Sequence, residues 1–241
     1  MYWHLAVEIT KNNQISACTA TDLLGPLNDV EEKYAPKKLY VRGNLQIPLP
    51  GPRAAVIGSR KASSEGLKAA SDIARTLVRK EVIVVSGLAE GIDTMAHKTT
   101  IEERGCTIAV LGTPLNRVYP QKNYQLQEVI MREHLAISQF PIGHPTKPTD
   151  FVLRDRTMAL ISDASIIVEA GDSSGSLYQG WEAIRLGRPL FIWKSVMNDP
   201  SLNWPKKMVK YGAMELKEAE EVLDVLPFFR ITLDTITPFQ T

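Results

Sequence analysis

Residues 54–87 are AAVIGSRKASSEGLKAASDIARTLVRKEVIVVSG, and their pattern predicts a strand, a helix and a second strand. The runs at 54–58 and 81–87 are short and apolar, which is typical of strands covered on both faces. Between them, apolar residues recur at helical spacing over 64–80. Successive strands that are joined by a helix lie parallel, so this segment predicts the start of an α/β fold.

The alternation of strands and helices continues to residue 193. Apolar strand-like runs occupy 106–112, 135–140, 164–170 and 188–193, and helical patterns occupy 91–105, 123–133, 151–163 and 176–187. Strands that are apolar throughout, and that alternate with helices, form a parallel sheet covered on both faces. We therefore predict an α/β protein with a doubly wound, mostly parallel sheet, an extended Rossmann-like fold.

The chain outside this alternating region indicates a division into three parts. The apolar residues within 5–9 suit a strand or a short helix, a weak helix is broken at Gly25-Pro26, and 39–44 is a short strand. Three prolines then crowd the connector IPLPGPR at 47–53. We predict a small N-terminal appendage with its connector at 1–48, the Rossmann-like core at 49–230 and a C-terminal tail at 231–241.

Composition limits the classes of function. The 28 lysines and arginines against 27 aspartates and glutamates give a net charge of +1, which excludes a globally basic protein but not a local basic surface. Cys18 and Cys106 lie far apart and no CxxC or HExxH motif occurs, so we expect no metal site, no disulfide framework and a reducing cytoplasm. No apolar run approaches the ~20 residues that span a bilayer, and residues 1–10 lack a secretory signal pattern, so we expect no membrane association.

Three of the loops that follow predicted strands are rich in glycine and serine and lead into helices. They supply the candidate phosphate-binding residues Gly58, Ser59, Arg60, Ser86, Gly87, Gly91, Ser174, Gly175 and Ser176. Ligands of doubly wound sheets bind at this edge, and the amides of a helix N-terminus attract anions. One such loop alone also fits an ordinary capped turn, but three at one edge predict a phosphate-rich ligand. None matches the dinucleotide or Walker motifs, so we expect no cofactor.

The segment FVLRDR at 151–156 opens a predicted helix after a loop that contains Lys147. An exposed Phe151 beside cationic side chains would stack bases, and the alternative is a core phenylalanine among surface ion pairs. Arg154 and Arg156 are two residues apart and do not share a helix face, so one would point to the ligand and the other to a carboxylate.

Asp93 and His97 are four residues apart on the predicted helix 91–105, a spacing that brings them onto one face. Such a pair could act as a general base. No nucleophile adjoins them in the sequence, so we favour a helix-stabilising pair and expect no catalytic residues.

Seven motifs, in this order, resemble the DprA/Smf family of DNA-processing proteins: LYVRGN, AAVIGSRKAS, VVSGLAEGID, GCTIAVLGTPLNRVYPQKN, ISQFPIGHPT, FVLRDR and SGSL. The resemblance covers about residues 39–226. It implies a Rossmann-like protein that binds single-stranded DNA, helps to load a RecA-type recombinase and works as a homodimer. It also implies DNA contacts by Arg60, Lys122, Lys147 and Phe151, and it places Arg154 and Arg156 in the family's Arg-Asn-Arg pattern.

The chain departs from that pattern at Asp155, where the family has asparagine. A carboxylate that faces the strand would repel phosphate, whereas one that pairs with an arginine would hold that side chain in place. We favour repulsion and so expect weaker DNA binding than is typical of the family.

Two other functions compete with single-stranded DNA binding. One is a nucleotide-binding sensor or nucleoside-monophosphate hydrolase of the same superfamily, in which Glu182 would be the acid. The hydrolase signature PGGxGTxxE is absent from EAGDSSGSLYQGWEA at 169–183. The other is a structural or signalling module with a vestigial site. The order of the motifs favours the DNA-binding interpretation.

Overall fold

The computed structural model describes residues 14–227. The strand or short helix expected within 5–9 and the predicted tail at 231–241 lie outside these residues. The described strands are β1 Ser16–Cys18, β2 Leu39–Gly43, β3 Arg53–Gly58, β4 Ile83–Ser86, β5 Thr107–Leu111, β6 Leu135–Ser138, β7 Ala164–Glu169, β8 Leu190–Trp193 and β9 Met214–Leu216. The described α-helices are α1 Ala20–Leu24, α2 Asp29–Tyr34, α3 Ser64–Arg79, α4 Ile92–Glu102, α5 Tyr124–Glu133, α6 Pro148–Ile161, α7 Ser176–Arg185, α8 Lys194–Met197 and α9 Trp204–Val209.

Within the described chain, nine strands form one sheet in the order β1-β2-β6-β5-β4-β3-β7-β8-β9. The strands from β6 to β9 in this order are parallel, whereas β2 is antiparallel to β6 and β1 is antiparallel to β2. The prediction of a doubly wound, mostly parallel sheet is confirmed. The chain winds from β3 out to β6 and then returns to β7, so the topological switch point lies between β3 and β7.

The first two strands extend this sheet at one edge. Tyr40 of β2 pairs with Ser138 of β6 in the antiparallel register. Leu23, Leu39 and Val41 are fully buried and belong to the same core as side chains of the central strands. The predicted boundary at residue 48 therefore falls between two strands of one continuous sheet.

Local sequence explains the limits of α3, the helix that follows β3. Ser63 precedes it, and the Ser63 hydroxyl accepts a hydrogen bond from the Gly66 amide at 3.0 Å. Ile73 and Leu77 lie one turn apart and are fully buried, and burying each side chain contributes about 1.5–3 kcal/mol. The helix ends at Arg79, one residue before the predicted end at 80.

α6 begins at Pro148, three residues before the predicted start at Phe151. Proline suits the first helical position, because its fixed φ is helical and its missing amide would have no partner there. The Lys147 amide donates to Asp150 Oδ2 at 2.7 Å, which fixes the first turn. Lys147 therefore lies at the helix N-terminus, with Phe151 one turn into the helix.

Candidate functional site

A pocket of about 830 Å³ opens beside the switch point between β3 and β7. Its walls come from the loops that follow β3, β4, β5 and β7, from the first turn of α4 and from the first half of α6. The predicted site residues that line it are Gly58, Ser59, Arg60, Lys147, Phe151, Arg154, Ser174, Gly175 and Ser176. The fold thus brings together residues from three separate segments of the sequence.

Three further predicted residues lie behind the pocket wall. The Ser86 hydroxyl is buried and donates to the Val56 carbonyl at 2.7 Å. A Cβ on Gly87 would lie 1.5 Å from Arg154 Nη1, so this glycine makes room for the guanidinium. Gly91 has φ +75°, and a Cβ there would lie 2.2 Å from the Ser59 carbonyl oxygen. These residues shape the walls from outside the pocket.

Lys122 and Arg156 do not line the pocket either. Lys122 is mostly exposed and forms an ion pair with Glu90. Arg156 lies on the opposite flank of α6, where its Nε is 3.1 Å from Glu182 Oε1. The two-residue spacing explains the outcome for Arg156, because Arg154 and Arg156 project to different sides of one helix.

Besides Arg154, four cationic side chains line the pocket: Arg60, Lys61, Arg117 and Lys147. Within residues 14–227, none of the four forms an ion pair with a carboxylate. The sequence analysis did not single out Arg117, although it lies in the strand-end loop LGTPLNRVYP. The Thr113 hydroxyl donates to the Arg117 carbonyl at 3.0 Å and fixes this loop. The free charges give the pocket an affinity for anions.

Phe151 and Tyr119 form an aromatic wall beside these cations. Their ring centroids are 5.2 Å apart, and Arg60 Cζ lies 5.7 Å from the centroid of the Phe151 ring. Tyr119 is half exposed and Phe151 is partly buried, so Phe151 is not a core phenylalanine. Sequence analysis missed Tyr119, because a lone aromatic residue in a loop carries no periodic signal.

The floor of the pocket holds a buried ion pair. Arg154 Nε lies 2.8 Å from Asp155 Oδ1, and both side chains are more than nine-tenths buried. Arg154 Nη1 also donates to the carbonyls of Gly87 at 2.5 Å and Val110 at 3.2 Å. The sequence analysis favoured a carboxylate without an arginine partner at this position, and the structure corrects this, because Asp155 is paired with Arg154. A buried carboxylate needs a partner, and the neighbouring guanidinium supplies it.

A family model described as DNA recombination-mediator protein A matches residues 23–227. The chain belongs to this family. The DNA processing protein DprA of Streptococcus pneumoniae is 35% identical to it over 201 residues, which cover 83% of this chain and 71% of that protein. The DprA of Bacillus subtilis is 29% identical over 192 residues, and Escherichia coli Smf is 34% identical over 194. The matches cover 80% of this chain in both cases, but only 65% and 52% of those relatives.

Solved structures of DprA proteins share the fold of this DprA-family chain. The S. pneumoniae structure aligns with a TM-score of 0.75 and 30% identity, and it covers 89% of this chain and 75% of that one. DprA of Helicobacter pylori, described for its single-stranded DNA binding mode, aligns with a TM-score of 0.70 and 24% identity. That alignment covers 88% of this chain and 95% of the H. pylori chain, and at this identity it shows the shared fold.

The helix N-termini of the DprA-family chain differ in what occupies them. At α3, the Ser63 amide donates to the Glu169 carboxylate at 3.1 Å, and the Ser63 hydroxyl donates to Glu169 Oε2 at 2.5 Å. The chain's own carboxylate thus occupies the position expected for a bound phosphate. At α7 no side chain caps the first turn, and residues 173–176 line the pocket. Of these two N-termini, α7 offers its first turn to the pocket.

Buried carboxylates in the pocket floor have raised pKa values. Burial raises the pKa of Asp155 to about 6 against the attraction of Arg154, and the nearby Asp93 adds to the rise. Burial also raises the pKa of Asp93, which accepts hydrogen bonds from the amides of Gly87 at 3.1 Å and Ala89 at 3.3 Å. The pocket of this DprA-family member therefore becomes more positive as the pH falls through about 6.

The pairing predicted between Asp93 and His97 does not form. Asp93 binds backbone amides, and His97 Nδ1 lies 2.7 Å from the Thr107 hydroxyl. Burial lowers the pKa of His97 to about 3, so the imidazole is neutral at physiological pH. Among residues 14–227 there is no group of three or more His, Cys, Asp or Glu side chains that could hold a metal ion. No helix in the same range is long and apolar enough to cross a membrane.

Proposed function

We propose that this DprA-family chain binds single-stranded DNA in the pocket at the switch point, without a covalent step. The observation that carries the proposal is the cluster of Arg60, Phe151 and Tyr119, in which a guanidinium and two rings stand together at the pocket wall. Family membership supports the same ligand, and so does the H. pylori relative described for its single-stranded DNA binding mode.

Phosphates would lie against the four pocket cations other than Arg154, beside the residues 174–176 that open α7 at the pocket wall. Each phosphate neutralised by a lysine or arginine releases counterions, so affinity falls as salt rises. For single strands the slope of log K against log salt is about −0.7 per contact. Four contacts therefore predict a slope near −3.

The rings of Phe151 and Tyr119 would stack bases. Every base has a flat aromatic face, so stacking contributes about 1–3 kcal/mol of binding free energy per base with little sequence preference. In a duplex both faces of a base are covered by its neighbours, so the same rings cannot be used. The proposal therefore includes a preference for single strands over duplexes.

On the basis of the family resemblance, we also propose a RecA-type recombinase as the protein partner, a homodimer as the working unit and the cytoplasm as the location. The binding role needs no catalytic residues, which agrees with a neutral, buried His97 that is bonded to Thr107 rather than facing a ligand.

The geometry argues against the hydrolase alternative. Its candidate acid, Glu182, does not line the pocket and forms ion pairs with Arg156 and Arg185. A carboxylate held by two guanidiniums is a poor proton donor, because both stabilise the ionised form. A binding experiment distinguishes a small-nucleotide ligand from single-stranded DNA as the ligand of this pocket.

The test is a titration of labelled oligo(dT) at two salt concentrations, with AMP and a cyclic dinucleotide as competitors. We expect oligo(dT) to bind with a steep salt dependence and neither nucleotide to displace it at concentrations near the Kd for DNA. Tight binding of AMP with no binding of oligo(dT) would overturn the proposal.

A further inference from the structure

A second, smaller groove lies on the other flank of α6. Its volume is about 380 Å³, and it is lined by Tyr34, Pro36, Lys37, Lys38, Arg156, neighbouring residues of α6 and Gln139, which follows β6. Because β2 is antiparallel to β6, the residues that precede β2 lie beside the end of β6. The groove is therefore at the same edge of the sheet as the pocket, with α6 between them.

α6 contributes to both sites with opposite faces. Phe151, Arg154 and Asp155 line the pocket, whereas Leu153 and Arg156 line the groove. The two sites are thus separated by about one helix diameter, roughly 10 Å. A few nucleotides of an extended strand span that distance.

The groove is basic. Lys37, Lys38 and Arg156 line it, and among residues 14–227 no carboxylate does. Both lysines are exposed, and neither forms an ion pair within the described chain. Glu182 balances Arg156 and Arg185 together, so it leaves a surplus of positive charge beside the groove.

Tyr34 gives this groove an aromatic platform. Tyr34 is 42% exposed, and Arg185 Cζ lies 3.4 Å and Lys33 Nζ 5.3 Å from the centroid of its ring. An exposed aromatic ring is a surface on which unpaired bases stack, and the lysines that line the groove supply cations for the phosphates. An acidic protein segment would use the lysines but has no need of the stacked ring.

We infer that this groove, defined by Tyr34, Lys37, Lys38 and Arg156, holds the continuation of a single strand that leaves the pocket across α6. The inference rests on the proposed function, because it needs DNA in the pocket. It makes the binding site two-part, so that short oligonucleotides use the pocket alone and longer ones use both.

The test compares oligo(dT) of about 4 and about 20 nucleotides, at the lower limit of single-strand site sizes and just beyond their range. Lys37→Ala/Lys38→Ala should leave the affinity for the short strand unchanged. It should lower the affinity for the long strand about tenfold near 0.15 M salt, because two phosphate contacts are lost. The control is Lys80→Ala/Lys98→Ala, which removes the same charge from exposed positions that line neither site.

Arg60→Ala separates failure of this inference from failure of the proposed function. If Arg60→Ala weakens both lengths and the groove variant matches its control on the long strand, the groove does not bind DNA. If Arg60→Ala changes neither length, the pocket itself is not the DNA site. A long-strand loss that Tyr34→Ala reproduces and Tyr34→Phe does not would support stacking on this ring.

Discussion

Replacing Asp155 by asparagine tests the physics of the pocket floor. Its carboxyl has a pKa of about 6 in the folded chain against an ordinary value of 3.8, because burial outweighs the attraction of Arg154. Each unit of pKa difference corresponds to about 1.4 kcal/mol, so ionising Asp155 costs about 3 kcal/mol more in the folded than in the unfolded chain. Asparagine has the shape of the neutral acid and avoids that cost.

The sign of the pH effect follows from the raised pKa. Stability due to neutral Asp155 is fully present below pH about 4 and is lost as the pH rises through about 6. Asp155→Asn should therefore match the wild type near pH 4 and exceed it by up to about 3 kcal/mol at pH 7. Arg154 also donates to the carbonyls of Gly87 and Val110, and these hydrogen bonds do not depend on the residue at position 155.

The assay is urea unfolding of both chains at several pH values. Asp199→Asn is the control, because Asp199 is exposed and hydrogen bonds from Ser201 lower its pKa, so its removal should bring no such gain. A variant that is less stable than the wild type at pH 7 would show that the ion pair with Arg154 outweighs the cost of burial. That result would refute the reasoning.

The same substitution removes one negative charge from the pocket. Within the described chain, the acidic residues that line the pocket are Asp93 and Asp155, and Asp155→Asn removes the charge of the second. Oligo(dT) binding at pH 7.5 should tighten by about 1 kcal/mol, the scale of one charge interaction near a solvated surface. The gain should vanish near pH 5, where the wild-type carboxyl is mostly protonated. A gain that is independent of pH would contradict the titration of Asp155.

Three further substitutions probe the walls of the pocket. Arg60→Ala should weaken binding to all single strands alike and reduce the salt slope by about 0.7, as measured by fluorescence anisotropy; an unchanged slope would remove Arg60 from the phosphate contacts. Phe151→Ala should cost about 1–3 kcal/mol of affinity with the salt slope unchanged, and a change in slope alone would contradict a stacking role. Gly87→Ala should lower the free energy of unfolding by about 3 kcal/mol or more, because its Cβ displaces a buried guanidinium; a melting temperature equal to the wild type would contradict that packing.

The fold could be predicted from sequence because its signals are local. Apolar runs bounded by glycine mark the central strands, and helical periodicity marks α3 between the first two. The antiparallel addition of β1 and β2 could not be predicted, because strand pairing joins residues far apart in the chain. Tyr40 and Ser138, for example, are neighbours only in the folded sheet.

Site residues could be predicted from the sequence where a general rule of the fold places them. They could not be predicted where their role depends on the contacts of a single side chain. The switch-point rule located Arg60 and the serines of the α7 loop. Arg117 could not be found, because an isolated cation in a loop has no pattern. Asp155 was misjudged, because a long arginine side chain can reach back to its own neighbour, and spacing along a helix does not reveal that contact.

The most direct test of the central claim compares single-stranded and duplex DNA of the same length and salt on the wild-type chain. The proposed pocket stacks unpaired bases on Phe151 and Tyr119 beside Arg60. It therefore predicts that oligo(dT) binds at least about tenfold more tightly than the duplex, the scale of one stacked base, and that duplex competes poorly for the bound strand. Equal affinity for the two forms would contradict the account, because it would leave phosphate contacts without stacking.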